Sequence, residues 1–135
     1  MLSELSKLSE LSIMIKSFRD LKVWQKAHEL VLHIYKITKN FPTEEKYGLV
    51  SQMRRAVVPI AANIVEGFRR IGARDSLHFY GISNASLEEL RYEVQISFDL
   101  SFITNDEFIL ANEKMEEVSK MLNSWIQSQI KNSKK

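Results

Sequence analysis

The sequence predicts an all-α protein with the architecture of an up-down-up-down four-helix bundle. Apolar residues recur at spacings of three and four along most of the 135 residues, and this period places them on one face of a helix. The chain holds only four glycines and two prolines, too few for the tight turns of a β-sandwich or barrel. No segment shows the apolar-polar alternation of a half-buried strand. Four long helices with short connections satisfy these observations.

The first helix is predicted from about Asp20 to Lys39. It ends before Phe41-Pro42, because the residue that precedes a proline is pushed out of the helical conformation. Thr43 then follows as the predicted N-cap of the second helix. The core stripe of the first helix has the three-four spacing and consists of Val23, Ala27, Leu30, Ile34 and Ile37, widened by Trp24, Val31 and Tyr35.

The second helix is predicted to continue to Arg70 and to be kinked at Pro59. Proline lacks the backbone N–H that would bond the carbonyl of Arg55, so the helix should bend there. The core stripe of this helix consists of Leu49, Met53, Val57, Ile60, Ile64 and Phe68.

The third helix is predicted from Asp75 or Ser76 to about Ile103. Thr104 and Glu107 have the spacing of a capping box and open the fourth helix. The core stripe of the third helix consists of Phe79, Tyr80, Leu87, Leu90, Val94 and Phe98. The core stripe of the fourth helix consists of Ala111, Met115, Val118, Leu122 and Trp125.

Short tails are predicted on either side of the bundle, which spans residues 18–131. Residues 1–17 begin with a three-residue pattern of Leu and Ser, which drifts around a helix of 3.6 residues per turn. They are expected to form a loosely ordered tail or a short helix, and Met14 is an alternative start. Residues 132–135 are expected to be disordered.

The second and third helices each carry a second apolar face opposite the core stripe, and Ile103 is assigned to this outer face. A wide core stripe with scattered exposed residues is one explanation. The other is homo-oligomerisation, in which the basic second helix meets the acidic third helix of a neighbour in a heterologous contact that closes into a ring. The candidate interface residues are Val58, Pro59, Ala62, Val65, Glu66, Ile82, Ala85, Ile96 and Leu100.

The basic surplus lies in residues 1–75, and five arginines lie along the second helix and its exit loop, although the net charge of the chain is only +2. Arginine is suited to bidentate contact with phosphate. These cations therefore have two interpretations, a solvated face with intersubunit salt bridges or a nucleic-acid contact surface. The candidate nucleic-acid-binding residues are Arg54, Arg55, Arg69, Arg70, Arg74, Lys22 and Lys26.

Residues with the spacing of an active site are not found. The chain has no cysteine, which excludes disulfides, Cys-based zinc sites and thiol nucleophiles. His28 and His33 are five residues apart and share a helix face poorly, and Asp75 with His78 forms one candidate ligand pair without a second. No glycine-rich phosphate loop, secretory signal or apolar run of membrane-spanning length occurs. We therefore expect a non-enzymatic cytoplasmic protein with no metal, cofactor or membrane partner.

Three longer strings resemble a known bacterial family: FRDLKVWQKAHEL at Phe18–Leu30, FPTEEKYGLVSQMRRA at Phe41–Ala56 and NIVEGFRR at Asn63–Arg70. SLEEL at Ser86–Leu90 resembles part of its third helix. Over about residues 18–122 the chain is similar to the four-helix-bundle proteins encoded by intervening sequences in bacterial 23S ribosomal RNA genes, the S23-like family.

The resemblance implies a bundle that assembles as a homopentameric barrel. It also implies kinship to the accessory variability protein of diversity-generating retroelements, which binds nucleic acid and partners a reverse transcriptase. A reverse transcriptase is thus a candidate partner in a retroelement context. The ribosomal-insertion members themselves have no established biochemical role.

The sequence departs from the family pattern in two places. Pro59 stands where the family commonly has serine, and Ala61 where it has proline, so the expected kink moves by about half a turn. The third helix reads SNAS at Ser83–Ser86 in place of Ala-x-Gly-Ser. Loss of that glycine is expected to change how closely a neighbouring helix approaches.

Taken together, the residues and the resemblance predict a homo-oligomeric, pentameric four-helix bundle that binds RNA or DNA through a basic surface. The alternative is a structural or protein-interaction adaptor that does not bind nucleic acid. The predicted partners are therefore further copies of the chain, nucleic acid and, in a retroelement, a reverse transcriptase.

Overall fold

The computed structural model describes residues 15–133, which form four long helices and no strand. The helices are α1 (Lys22–Thr38), α2 (Leu49–Arg69), α3 (Ala73–Asp99) and α4 (Asn105–Ser133). Single turns of 3-10 helix precede α1 at Phe18–Asp20 and α2 at Thr43–Glu45. The all-α, four-helix prediction is confirmed. The up-down-up-down course and the kink at Pro59 stay predictions.

The ends of the described chain bear on the predicted tails. Residues 1–14 and 134–135 of those tails lie outside the described residues. Ser17 caps the first 3-10 turn, accepting a hydrogen bond from the backbone nitrogen of Arg19 at 3.0 Å while its own nitrogen donates to Asp20. α4 continues to Ser133, two residues past its expected end, a difference typical of fraying helix termini.

The start of α2 differs from the sequence prediction, because Thr43 is not its N-cap. Thr43 instead opens the 3-10 turn, and α2 begins six residues later at Leu49. The backbone nitrogen of Leu49 donates to Glu45 Oε2 at 3.0 Å. A carboxylate at the positive end of the α2 dipole therefore satisfies one of its unpaired backbone donors.

The turn between α3 and α4 shows one confirmed prediction and one correction. The capping box is present, because Thr104 N donates to Glu107 Oε1 at 2.9 Å and Glu107 N donates to Thr104 Oγ1 at 3.1 Å. α3 ends earlier than predicted, since Ser101 adopts a left-handed φ of 62° and breaks the helix. Ile103 consequently turns inward and is buried, so its assignment to the outer face was wrong.

Each helix packs against two others: α2 contacts α1 and α3, and α4 contacts α1 and α3. Their facing side chains form one core. Most of the predicted stripes are buried, whereas Phe68, Phe79, Phe98 and Trp125 lie half-buried at its edge. Tyr35 is exposed rather than part of the α1 stripe. The fully buried side chains of greatest volume are Tyr80, Leu30, Ile34, Met53, Ile60, Ile64, Leu87, Leu90, Met115, Leu122, Val57 and Val94.

Small polar residues line the seam between α2 and α3. Ser83 is fully buried, and its hydroxyl donates to the carbonyl of Ile60 at 2.8 Å. Ser97 is also fully buried, and its hydroxyl donates to the carbonyl of Glu93 on its own helix at 2.8 Å. Both hydroxyls thus have the partners that a buried polar group requires. In the SNAS segment, Ser83 stands where the family pattern has alanine and contacts α2, whereas Ala85, which stands where the pattern has glycine, is exposed.

Candidate nucleic-acid interface and subunit face

The outer surface of α2 gathers the five α2 residues that the sequence assigned to a subunit contact. Val58 is 41% exposed and Ala62 is exposed. Pro59, Val65 and Glu66 are half-buried. Two exposed arginines, Arg55 and Arg69, lie near the two ends of this apolar stretch. The positions are spaced by three and four residues, so they form one stripe along the helix.

The outer surface of α3 is more mixed. Ala85 is exposed and Leu100 is 54% exposed, but Ile82 is half-buried and Ile96 packs against the core. Tyr92, which the sequence analysis did not assign to this face, is 68% exposed. The exposed charged side chains of the central and C-terminal parts of α3 are carboxylates, namely Glu88, Glu89 and Asp99.

Arg54 is tied to the end of α1. Its Nε donates to Thr38 Oγ1 at 3.1 Å and its Nη2 donates to the carbonyl of Tyr35 at 3.4 Å. The guanidinium carbon also lies 4.5 Å from the centroid of the Tyr35 ring, a cation–π distance. Arg54 therefore joins α1 to α2 and has a structural role in addition to any contact with phosphate.

Arg70 and Lys26 are also paired within the chain. Arg70 lies 3.3 Å from Glu66 and 4.5 Å over the ring of Phe79. Lys26 Nζ lies 3.4 Å from Glu117 of α4 and 3.5 Å from Glu29. The hydrogen bond and charge of Glu117, followed by those of Glu29, raise the pKa of Lys26. A phosphate would have to compete with these carboxylates for either cation.

The other predicted phosphate-binding residues have a different environment. Arg55, Arg69, Arg74 and Lys22 are all exposed. No carboxylate within residues 15–133 lies at ion-pair distance from any of them. The seven candidates thus divide into three with partners of their own and four that face solvent, and the structure does not collect all seven at one place.

An open groove of about 660 Å³ lies beside the N-terminal half of α2. Arg54 and Arg55, two of the candidate nucleic-acid-binding residues, line it. Sequence reasoning missed Tyr35, Lys46 and Tyr47. The sequence signal that could have indicated them is the dipeptide Lys46-Tyr47, which places a cation beside an aromatic ring in the loop before Gly48. The lining residues are Tyr35, Lys46, Tyr47, Val50, Ser51, Arg54, Arg55, Val58 and Pro59.

A second open groove, on α3 and α4, has the opposite character. Three of its six lining residues are carboxylates, Glu113, Glu116 and Glu117. Arg91 lies between the two helices, with its Nη2 at 3.3 Å from Glu116 and its Nε at 3.0 Å from Glu88. The three carboxylates of the lining outnumber its two cations, Arg91 and Lys120, so this groove is less suited to a polyanion than the groove beside α2.

Glu93 is a further ionisable residue that sequence reasoning did not single out. It is only 4% exposed, and its Oε1 has no hydrogen-bond partner among the described residues. Burial, and secondarily the charge of Glu89, raise the pKa of Glu93 to about 7. A buried carboxylate without a partner is rare and calls for a physical explanation.

Residues 15–133 hold no group of three His, Asp or Glu side chains placed together as metal ligands would be. His33 is half-buried, and burial, followed by the charges of Lys114 and Lys36, lowers its pKa. None of the helices in this range has the length and apolarity needed to cross a bilayer.

Comparison with known proteins identifies the family. A family model described as 23S rRNA-intervening sequence protein matches residues 19–124. The chain is also similar to a solved structure from Bacteroides thetaiotaomicron VPI-5482, described as a protein with unknown function from the S23 ribosomal protein family. The two are 24% identical, with a TM-score of 0.72, and the match covers 78% of this chain and 95% of that one. No curated protein matches the chain.

Proposed function

This chain belongs to the 23S rRNA-intervening sequence protein family, and we propose that it is a non-enzymatic, cytoplasmic bundle that assembles into a homopentamer and binds nucleic acid. The observation that carries the proposal is the outer stripe of α2, where Val58 and Ala62 are exposed between Arg55 and Arg69. The stripe offers an apolar surface for a second copy of the chain and charges at its two ends.

The proposed bundle runs up-down-up-down. Contacts between α3 and α4 support this course, because Arg91 lies beside Glu116 and, further along α3, Phe98 stacks on the earlier residue Phe108. Between α2 and α3, Ser83 donates a hydrogen bond to the carbonyl of Ile60, and Ser97 Oγ lies 3.3 Å from Met53 Sδ. The later residue of α3 thus contacts the earlier residue of α2, as it would in a pair of antiparallel helices. A kink at Pro59 belongs to the same proposal, since proline cannot donate to the carbonyl four residues earlier.

A second copy is the occupant that best fits the outer face of α2. Each square ångström of apolar surface removed from water is worth about 25 cal/mol, which favours covering the exposed valine and alanine. Charge complementarity selects the neighbour's α3, which exposes Glu88, Glu89 and Asp99, against the arginines of α2. Because α2 of one copy meets α3 of the next, the contact is heterologous and repeats until a ring closes. The subunit number of five comes from the family resemblance.

We expect the double substitution Val58→Glu and Ala62→Glu to convert the assembly into monomers. Assembly would bury two carboxylates without partners, a cost of several kcal/mol. Multi-angle light scattering at micromolar protein should give the wild type about five times the 15.7 kDa of one chain and the variant a single chain mass.

The matched control for this experiment is Leu32→Glu on α1. Leu32 is 57% exposed, more than Val58, but lies outside both proposed contact faces. The control variant should keep the wild-type mass. A monomeric wild type, or an equal loss of mass in the control, would remove the α2 stripe as the subunit contact.

The nucleic-acid part of the proposal depends on the exposed arginines. Arg55 and Arg69 have no carboxylate of the described residues of their own chain at ion-pair distance. They lie at the two ends of the proposed contact, where phosphate competes only with the α3 carboxylates of the neighbouring copy. Repetition of this weak patch around a ring multiplies its affinity through avidity. The long stem and planar head of arginine also suit contacts with phosphate from a rigid helix.

The substitutions Arg55→Ala and Arg69→Ala together should weaken binding to RNA or DNA and flatten its dependence on salt. The slope of log K against log salt is negative, and loss of two phosphate contacts reduces its magnitude by roughly 1.4 to 1.8. Gel-shift titrations over about 50 to 200 mM salt measure this slope.

The control removes the same charge elsewhere, with Lys120→Ala and Lys131→Ala on α4, both of them exposed. Its slope should change less than that of the arginine variant. Absence of wild-type binding at about 50 mM salt, where phosphate contacts are strong, would eliminate the nucleic-acid role.

The second candidate is a structural or protein-interaction adaptor without nucleic-acid binding. It is favoured by Arg54, Arg70 and Lys26, whose charges are already used within the chain. A reverse transcriptase is the protein partner that the family resemblance implies in a retroelement context. The gel-shift titration separates the two candidates, since an adaptor would leave RNA and DNA unshifted.

A further inference from the structure

We propose that the groove beside the N-terminal half of α2 binds single-stranded nucleic acid, with a base stacked on Tyr47 and phosphates held by Lys46 and Arg55. This inference rests on the proposed nucleic-acid role and names the class of ligand and the residues that select it. The groove brings together cations and exposed aromatic rings, the two components that single-strand binding requires.

Tyr47 supplies the stacking surface. Its side chain is 88% exposed and lies in the short loop between the 3-10 turn and α2. Because the ring packs against little of the described chain, its face is available for stacking with a base. Lys46 Nζ lies 5.5 Å from the centroid of the same ring, so a base that stacks on Tyr47 brings its phosphate near a cation.

Tyr35 and Arg54 form a second, fixed part of the groove. Tyr35 is 37% exposed, and its ring carries the guanidinium of Arg54 at 4.5 Å. Two hydrogen bonds to α1 hold that guanidinium in place. A strand in the groove would thus meet a preorganised cation, and little side-chain entropy would be lost when it binds.

The charge of the groove favours an anion. Among residues 15–133, its lining includes Lys46, Arg54 and Arg55 but no aspartate or glutamate. The nearest acid in sequence, Glu45, uses its carboxylate to accept the backbone N–H of Leu49 at the start of α2. Three cations without a facing carboxylate form a positive surface, and Arg55 is exposed on it.

The exposed rings favour a single strand over a duplex. In a duplex the faces of the bases are stacked on one another and cannot reach a protein ring, whereas unpaired bases can stack on aromatic side chains. Val58 and Pro59 close the groove toward the stripe proposed for subunit contact. In the ring the strand would therefore run along the edge of each subunit contact.

The test compares wild type with Tyr47→Ala and Tyr47→Phe by fluorescence anisotropy at fixed salt. The probes are a short labelled RNA strand of mixed sequence, the DNA strand of the same sequence and the RNA duplex. Tyr47→Ala should weaken single-strand binding by roughly 5- to 150-fold, the range for loss of one stacked base. Tyr47→Phe should stay close to wild type, because it retains the ring. The ratio of the RNA and DNA affinities identifies which strand is preferred, and either preference supports the proposal.

Different results would overturn different claims. Equal single-strand affinities for wild type and Tyr47→Ala, with binding still lost in the Arg55 and Arg69 variant, would overturn the groove and leave the basic surface in place. No binding of wild type to any of the three probes would overturn both. A change of oligomer mass in Tyr47→Ala would assign the groove to a subunit contact instead.

Discussion

Replacement of Gly67 by alanine should destabilise the bundle by up to about 2 kcal/mol, although alanine is the better helix former. A Cβ built on Gly67 would lie closest to Cε1 of Tyr80 and 2.8 Å from its Cδ1 and Cζ. Real Cβ atoms do not approach other heavy atoms so closely, so the ring or the α2 backbone would have to move.

The Tyr80 ring has little room to move. The residue is 1% exposed and packs edge-on against Trp125 of α4, with ring centroids 6.5 Å apart. The gain in helix propensity from glycine to alanine is about 1 kcal/mol, whereas overpacking a closed core costs about 1 to 3 kcal/mol and more where the backbone must shift. The steric effect therefore outweighs the propensity effect at this position.

Gly81 provides a matched control on the neighbouring helix. It is exposed within α3, and a Cβ built on it would meet no heavy atom of the described part of the chain within 4 Å. Gly81→Ala should therefore show the propensity gain alone and stabilise the protein by about 0.5 to 1 kcal/mol. Chemical denaturation at equal protomer concentration measures both variants, since the stability of an assembly depends on concentration. Equal stabilisation by the two substitutions would mean that Tyr80 does not fill the space beside Gly67.

These glycines show what the sequence could and could not predict about the fold. Apolar periodicity located four helices and most of the core. Each helix repeats a buried residue at every turn, so one misassigned residue does not change the prediction for the whole helix. The reason for Gly67 was not predictable, since it depends on Tyr80, a residue 13 positions away on another helix. The early end of α3 was missed for a local reason, because Ser101 occupies a left-handed conformation that usually favours glycine.

The candidate site was predictable to a smaller extent. Charge counts located the arginines of α2, but whether a given arginine faces solvent depends on its neighbours in space. Arg54 and Arg55 are adjacent in sequence, yet one is bonded to α1 and the other is exposed. Tyr47 carries no periodic signal, since it lies in a loop. Spacing along one helix therefore cannot separate structural cations from those available to a ligand.

Glu93 should make the bundle more stable at pH 5 than at pH 8. Burial, followed by the charge of Glu89, raises the pKa of Glu93 from its usual 4.5 to about 7. The folded state then binds a proton more tightly than the unfolded state. The resulting stabilisation is fully present below pH 4.5 and is lost as pH rises through 7. The full difference is on the order of 3 kcal/mol, at about 1.4 kcal/mol for each pKa unit.

Glu93→Gln tests this dependence, because glutamine has nearly the same shape and does not titrate. The free energy of unfolding, measured by denaturation from about pH 4.5 to 8, should change less with pH in the variant than in the wild type. Any fixed cost of burying the amide lowers the free energy of unfolding of the variant equally at every pH. The comparison therefore uses the change of this free energy with pH, not its absolute value. Glu88→Gln is the control, since Glu88 is exposed and its ion pair with Arg91 is worth little.

The monomeric variant with Val58→Glu and Ala62→Glu separates burial within one chain from burial by assembly. Glu93 is only 4% exposed within its own chain, so its burial does not require a neighbouring copy. The contribution of Glu93 to the pH slope should therefore be the same in the wild type and in the monomeric variant. If adding Glu93→Gln leaves the pH slope of the monomeric variant unchanged, the carboxylate is ionised within a single chain, and burial does not control its titration.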